Sequence, residues 1–157
     1  MKRLFILYAL IFSSFLWTES ISEEEVISEE EVISKLNQFF LLLDLQVYEK
    51  EKVSKILTDD FLIFEMGKAW NMDEFDKFIQ EASKTTISTD WVLSNYVVSI
   101  DDNSAHISYV NDGMFKTTDN ELVISNWLES VYLVKEGGVL KLKFLQSDLV
   151  SRETKPN

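Results

Sequence analysis

The chain has 157 residues, 46% of them hydrophobic and 13% aromatic, enough for one domain with a sizeable core. Its formal net charge of −12 disfavours nucleic acid and anionic membrane surfaces as partners. The lack of any cysteine excludes disulfides, thiol nucleophiles and thiolate metal sites.

The first twenty residues have the form of a signal peptide. Lys2 and Arg3 make a positive start, and Leu4–Trp17 is an apolar run interrupted only by Ser13 and Ser14. That run falls short of the ~20 apolar residues needed to span a bilayer and has the length of a signal-peptide core. Cleavage is expected after Ser20, giving a secreted or periplasmic protein with no stable membrane insertion. The alternative is an uncleaved N-terminal anchor. Residues 21–32 repeat Ile-Ser-Glu-Glu-Glu-Val twice. The six-residue period does not match a heptad. This stretch reads as a solvated acidic linker, or a frayed extension of the next helix, rather than a cation-binding tract.

From Ile33 the pattern turns helical, with Ile33, Leu36, Phe39, Phe40, Leu43 and Val47 at three- and four-residue spacing. A second short helix is predicted over about Glu49–Leu57, and a strand over Asp59–Glu65. Along that strand Phe61, Ile63 and Glu65 alternate with Leu62 and Phe64. Asn71 followed by Glu74 has the spacing of a capping box. It opens a third helix whose buried stripe is Phe75, Phe78, Ile79 and Ala82. Four long strands follow: Trp91–Ile100, Ala105–Lys116, Leu122–Lys135 and Val139–Leu149. The turns between them are Asp101-Asp102-Asn103, Thr118-Asp119-Asn120 and Glu136-Gly137-Gly138. Residues 151–157 are left as a tail. Helices grouped before a meander predict an α+β domain over residues 33–150, with N-terminal helices packed on a curved, mostly antiparallel sheet. Such a cone encloses one pocket.

Several short segments, in order, resemble the nuclear-transport-factor-2-like superfamily, in particular its SnoaL-like and DUF4440-type domains. They are Leu57-Thr58-Asp59-Asp60-Phe61 at the entry to the first strand, and Phe64-Glu65-Met66-Gly67 at its end. Asp101 to Tyr109 matches a hairpin. Trp127-Leu128-Glu129-Ser130 and Leu140 to Ser147 match the last two strands. The resemblance implies the cone-shaped fold and a homodimer formed through the convex face of the sheet. It fixes no function.

Glu65 is the foremost candidate for chemistry. In the ketosteroid-isomerase branch of that superfamily the catalytic carboxylate base occupies a similar place. A carboxylate in an apolar pocket is raised in pKa and exchanges a proton near neutral pH. Leu41 and Leu42, however, stand on the first helix where those isomerases carry a Tyr. Glu129 shares a strand face with Trp127 and Val131, so an inward Trp127 brings an inward carboxylate that needs a partner. Tyr109 and Asn111 share a face with Ile107 and Phe115, and Gln146 is expected on the face of Leu140, Leu142 and Phe144. Relatives often carry His at the position of Gln146, and Gln does not titrate. With Phe61, Trp70 and Trp91, these residues compose a ligand site of a few polar points in an aromatic cavity.

His106 falls on the outer strand face. A single His without Cys gives no zinc site, and Asp101-Asp102-Asn103 lacks the spacing of a calcium loop. No metal and no organic cofactor are expected. The leading expectation is binding of a small, mostly apolar molecule. The alternatives are an isomerase, cyclase or dehydratase using Glu65 as general base, and a non-catalytic interaction module.

Overall fold

The computed structural model describes residues 26–157, so the signal-peptide reading of residues 1–20 and the start of the acidic repeat lie outside the described residues. The elements run α1 (Glu29–Leu42), α2 (Lys50–Ser54), β1 (Leu57–Glu65), β2 (Lys68–Asn71), α3 (Met72–Ala82), β3 (Thr86–Ile100), β4 (Ser104–Thr117), β5 (Glu121–Glu136) and β6 (Val139–Pro156). They form an α+β domain in which the helices cover one face of a single curved sheet.

The second copy of the acidic repeat is part of this domain and not a linker. Ser28 caps α1, its side chain accepting from the Glu31 backbone N–H, and Glu29, Glu30 and Glu31 fill the first turn. Acidic residues there face the positive end of the helix dipole. Ile27 and Val32 flank the cap at the spacing of a hydrophobic staple, and both are buried. One hexamer thus supplies the cap, the acidic turn and two apolar anchors. The expected capping box at α3 is present in both directions, with Asn71 accepting from the Glu74 N–H and Glu74 accepting from the Asn71 N–H.

The sheet order is β2-β1-β6-β5-β4-β3. Every pairing is antiparallel except β1 with β6. The short strand β2 is not legible in the sequence. It arises because Met66 and Gly67 both take positive φ, 52° and 72°, and turn β1 straight back in a two-residue hairpin.

Bulges give the sheet its curvature, because an extra residue in one strand bends it and tightens its twist. The β3–β4 ladder shifts between Ser94 and Val97, where Asn95 has φ 55°. On β6 the ladder with β5 shifts twice, leaving Lys143 and then Val150 as the extra residues. Each shift exchanges which side chains face inward. The final strand also runs beyond Leu149 to Pro156, paired with β5 down to Glu121, so residues 151–156 are strand rather than tail.

The core lies between α1 and the concave face. Val32, Leu36 and Phe39 from α1 join Ile107 of β4, Val131 and Leu133 of β5, and Leu140, Leu142 and Leu145 of β6 in one buried cluster. A fully buried Leu or Phe side chain is worth roughly 1.5–3 kcal/mol relative to exposure, so this cluster is the main source of stability.

Candidate functional site

The strand register stacks the concave face in rows toward the open end of the cone. Glu129 on β5 stands opposite Tyr109 on β4 and Ser147 on β6, and Glu65 ends β1 just beyond the pair Phe64–Gln146. The next row holds Trp127 opposite Asn111, and the next places Arg152, Ser125, Gly113 and Trp91 across four strands. Phe115 and Thr89 pair at the rim.

These rows, with the ends of α1 and α3, line a cavity of two adjoining lobes that share Glu65, Phe75, Trp91 and Trp127 in their walls. The outer lobe has a volume of about 330 Å³ and is walled by Phe75, Phe78, Trp91, Phe115 and Trp127, with Thr89 and Arg152. The inner lobe, about 60 Å³, ends on Asn111, Glu129 and Ser147. Glu65 borders both. Several rings meet edge to face: Trp91 contacts Phe40 and Phe115 at centroid distances of 5.3 and 5.2 Å. Gly113 makes this packing possible. A Cβ there would come within 2.9 Å of the Trp127 ring.

The polar floor is built around Glu129, which is only 8% exposed. One carboxylate oxygen accepts from Ser147 Oγ at 2.7 Å and the other from Asn111 Nδ2 at 3.0 Å. Burial raises the Glu129 pKa. These donors and the nearby Tyr109 hydroxyl pull it back, and the charge of Glu65 pushes it up further. Burial likewise raises Glu65, against the lowering effects of the Arg152 guanidinium and the Trp127 indole N–H. Arg152 is held in place, donating from Nε to Ser125 Oγ at 2.9 Å with its guanidinium over the Trp127 ring.

Among the described residues, five buried side-chain polar atoms make no hydrogen bond of regular geometry. They are Thr89 Oγ1, Trp91 Nε1, Tyr109 OH, Asn111 Oδ1 and Trp127 Nε1. Four belong to residues lining the cavity, and the fifth, on Tyr109, is close enough to Glu129 to affect its titration. Buried polar groups normally find partners, and leaving one unpaired costs about 1–3 kcal/mol. Trp127 Nε1 and Tyr109 OH lie close enough to Glu65 and Glu129 to lower the pKa values of those carboxylates, which leaves Thr89 Oγ1, Trp91 Nε1 and Asn111 Oδ1 as the atoms without a partner among the described residues.

Of the residues singled out from sequence, the structure brings Glu65, Trp91, Asn111, Trp127 and Glu129 to the cavity wall. Tyr109 is buried behind the floor, against Phe40. Phe61 is buried in the core beside Phe39 and does not line the cavity. Trp70 lies outside it as well, half-buried on β2, packed on Phe78 and donating to the Glu65 carbonyl at 3.2 Å. Gln146 faces the opposite side of the sheet, exposed beside an open groove with Phe64, Met66 and Asp148. The bulge at Lys143 causes this by reversing the alternation, so Leu145 and Ser147 turn inward in place of Phe144 and Gln146. Ser147, Thr89, Ser125 and Arg152 were not found by sequence reasoning. The last lay in the presumed tail, and uniform alternation places Ser147 outside.

Among the described residues no group of three or more His, Asp or Glu side chains comes together to hold a metal ion, and no helix is long and apolar enough to cross a membrane. No protein-family model and no curated protein sequence matches the chain. Solved structures do match. One, assigned as an aromatic ring hydroxylase of Novosphingobium aromaticivorans, superposes with a TM-score of 0.71 at 13% identity, covering 80% of this chain and 92% of that one. The hexachlorocyclohexane dehydrochlorinase LinA-type3 of Novosphingobium barchaimii gives 0.68 at 8% identity, over 80% and 88% of the two chains. The association domain of the C. elegans kinase CaMKII gives 0.61 at 15% identity, over 76% and 93%. The chain has the nuclear-transport-factor-2-like fold that these structures share.

Proposed function

We propose that this protein binds a small, mostly apolar molecule in the two-lobed cavity. The observation that carries the reading is an aromatic-walled space large enough for a ligand, with polar atoms of Thr89, Trp91 and Asn111 buried in its wall without partners. Native mass spectrometry of the protein purified from its own host tests it. A retained mass that disappears on denaturation supports an occupied pocket. A bulky substitution at the rim, Thr89→Trp, should abolish that retention without unfolding the protein. Persistence of the extra mass in the variant would place the molecule elsewhere and overturn the reading.

A second reading has its own support: Glu65 borders both lobes, and its pKa is raised by burial, as suits a general base. The similar structures include a dehydrochlorinase, although at 8% identity that likeness is one of fold. For proton abstraction, Glu65→Gln should remove turnover while leaving the fold intact, as read by its circular dichroism melt. Retained turnover would exclude Glu65 as the base.

A homodimer through the convex face is part of the proposal. Phe64, Val92, Met114, Leu128 and Tyr132 are exposed on the face away from the helices, an apolar surface that pairing would cover. Its test is the mass of the native assembly, where a monomer at micromolar concentration would argue against it. Secretion or a periplasmic location rests on Lys2, Arg3 and the apolar run Leu4–Trp17. N-terminal sequencing of the protein from its host decides between cleavage and a retained anchor.

A further inference from the structure

We propose that the cavity selects an organic cation, a primary or secondary amine on a compact apolar body, with its ammonium group at the inner end between Glu65 and Asn111. The inference rests on the cavity being a ligand site and names the class of ligand.

Three charged side chains line the lobes among the described residues: Glu65, Glu129 and Arg152. Two carboxylates against one guanidinium leave the lining negative, within a chain whose own net charge of −12 draws cations toward it. Arg152 is already engaged, by Ser125 and by the face of Trp127. Glu129 is engaged by Ser147 and Asn111. Glu65 has the charge of Arg152 and one donor, the Trp127 N–H.

Beside it, Asn111 spends its amide N–H on Glu129 and leaves Oδ1 without a partner at 1% exposure. A buried acceptor next to an under-paired carboxylate calls for a ligand rich in N–H donors. A neutral hydroxyl brings one donor. An ammonium brings two or three, with a positive charge that offsets the repulsion between Glu65 and Glu129. The walls suit the same guest, because the faces of Trp91, Trp127 and Phe115 attract a desolvated cation as well as an apolar body.

The test is calorimetric titration of the purified protein at pH 7 with three probes that share a phenylethyl body: 2-phenylethylamine, 2-phenylethanol and 3-phenylpropionate. The amine should bind at least about tenfold more tightly than the alcohol, as expected for a charge-assisted pair in a desolvated aromatic site. In Glu65→Gln, checked for folding by its circular dichroism melt, the ratio of amine to alcohol affinity should collapse toward one. Equal binding of alcohol and amine would overturn the cation inference and leave the cavity reading standing. Preference for the propionate would make Arg152 the selecting group and overturn it as well. If none of the three binds, the inference fails, and the mass of any retained molecule decides the cavity reading separately.

Discussion

The two ends of the cone are built from the same sheet and the same helix, yet they are finished differently. At the closed end Val32 and Leu36 of α1 belong to a cluster with Ala105, Ile107, Leu133 and Leu142, all of them apolar and all buried. At the open end the inward positions pass to Glu129, Asn111, Trp127 and Ser125, and polar atoms are left without partners. A core optimised for stability alone would have continued the first pattern, because every unpaired buried group subtracts from folding. The contrast separates a region that holds the molecule together from one where stability is given up, as the proposed ligand site requires.

The comparison breaks most severely at the closed end. Leu36→Ala should cost about 3–5 kcal/mol, the range for a buried Leu that leaves a cavity, and should leave ligand binding by the folded fraction unchanged. Urea unfolding beside a binding titration checks both halves. A loss of affinity matching the loss of stability would show that the two ends are not independent. Gly113→Ala strikes the open end by overpacking. Its new methyl meets the rings of Trp127 and Phe115, so a loss of about 1–3 kcal/mol is expected together with a change in Trp fluorescence. Ser28→Ala removes the α1 cap and should cost about 1 kcal/mol, with no effect on the cavity.

The smallest effect has the opposite sign. Both Glu65 and Glu129 have folded-state pKa values above the ordinary 4.5. Between the unfolded and folded values the native state therefore holds more protons. These two groups favour folding as pH falls through their raised values, and that gain is lost as pH rises through them. Glu65→Gln should consequently be slightly more stable than the parent near neutral pH, and should show a shallower fall in stability as pH rises above the ordinary carboxylate value. Melting curves of the two proteins across that rise measure the difference. Identical slopes would mean that Glu65 titrates as a solvated carboxylate.

The helices and long strands were legible because each carries its period openly. Ile33, Leu36, Phe39, Phe40 and Leu43 mark α1, and alternation from Ser125 to Val131 marks β5 and turns Glu129 and Trp127 inward. The face of Tyr109 and Asn111 was readable on the same grounds. What the sequence hid was each break of period. Nothing in Leu142-Lys143-Phe144 announces a bulge, so Gln146 was placed inside and Ser147 outside, the reverse of the structure. Arg152 depends on a second bulge at Val150 and on a strand extended through a charged stretch that resembles a tail. Phe61 and Trp70 show another limit. Facing inward does not place a residue at the cavity, because depth along the cone is set by tertiary packing.

The two extra residues on β6 also bear on how such a domain tolerates a change of length. Lys143 and Val150 have no counterpart across the β5 ladder, so losing either one would let the strand straighten while its neighbours kept their facing. Losing a ladder residue such as Leu145 would instead turn every following side chain over, unless a bulge migrated to absorb the error. Single-codon deletions along this strand should therefore fall into two classes. At two positions they would relax the curvature and keep the lining, and at ladder positions ahead of Ser147 they would replace Ser147 and Arg152 with a different set of side chains in one genetic step.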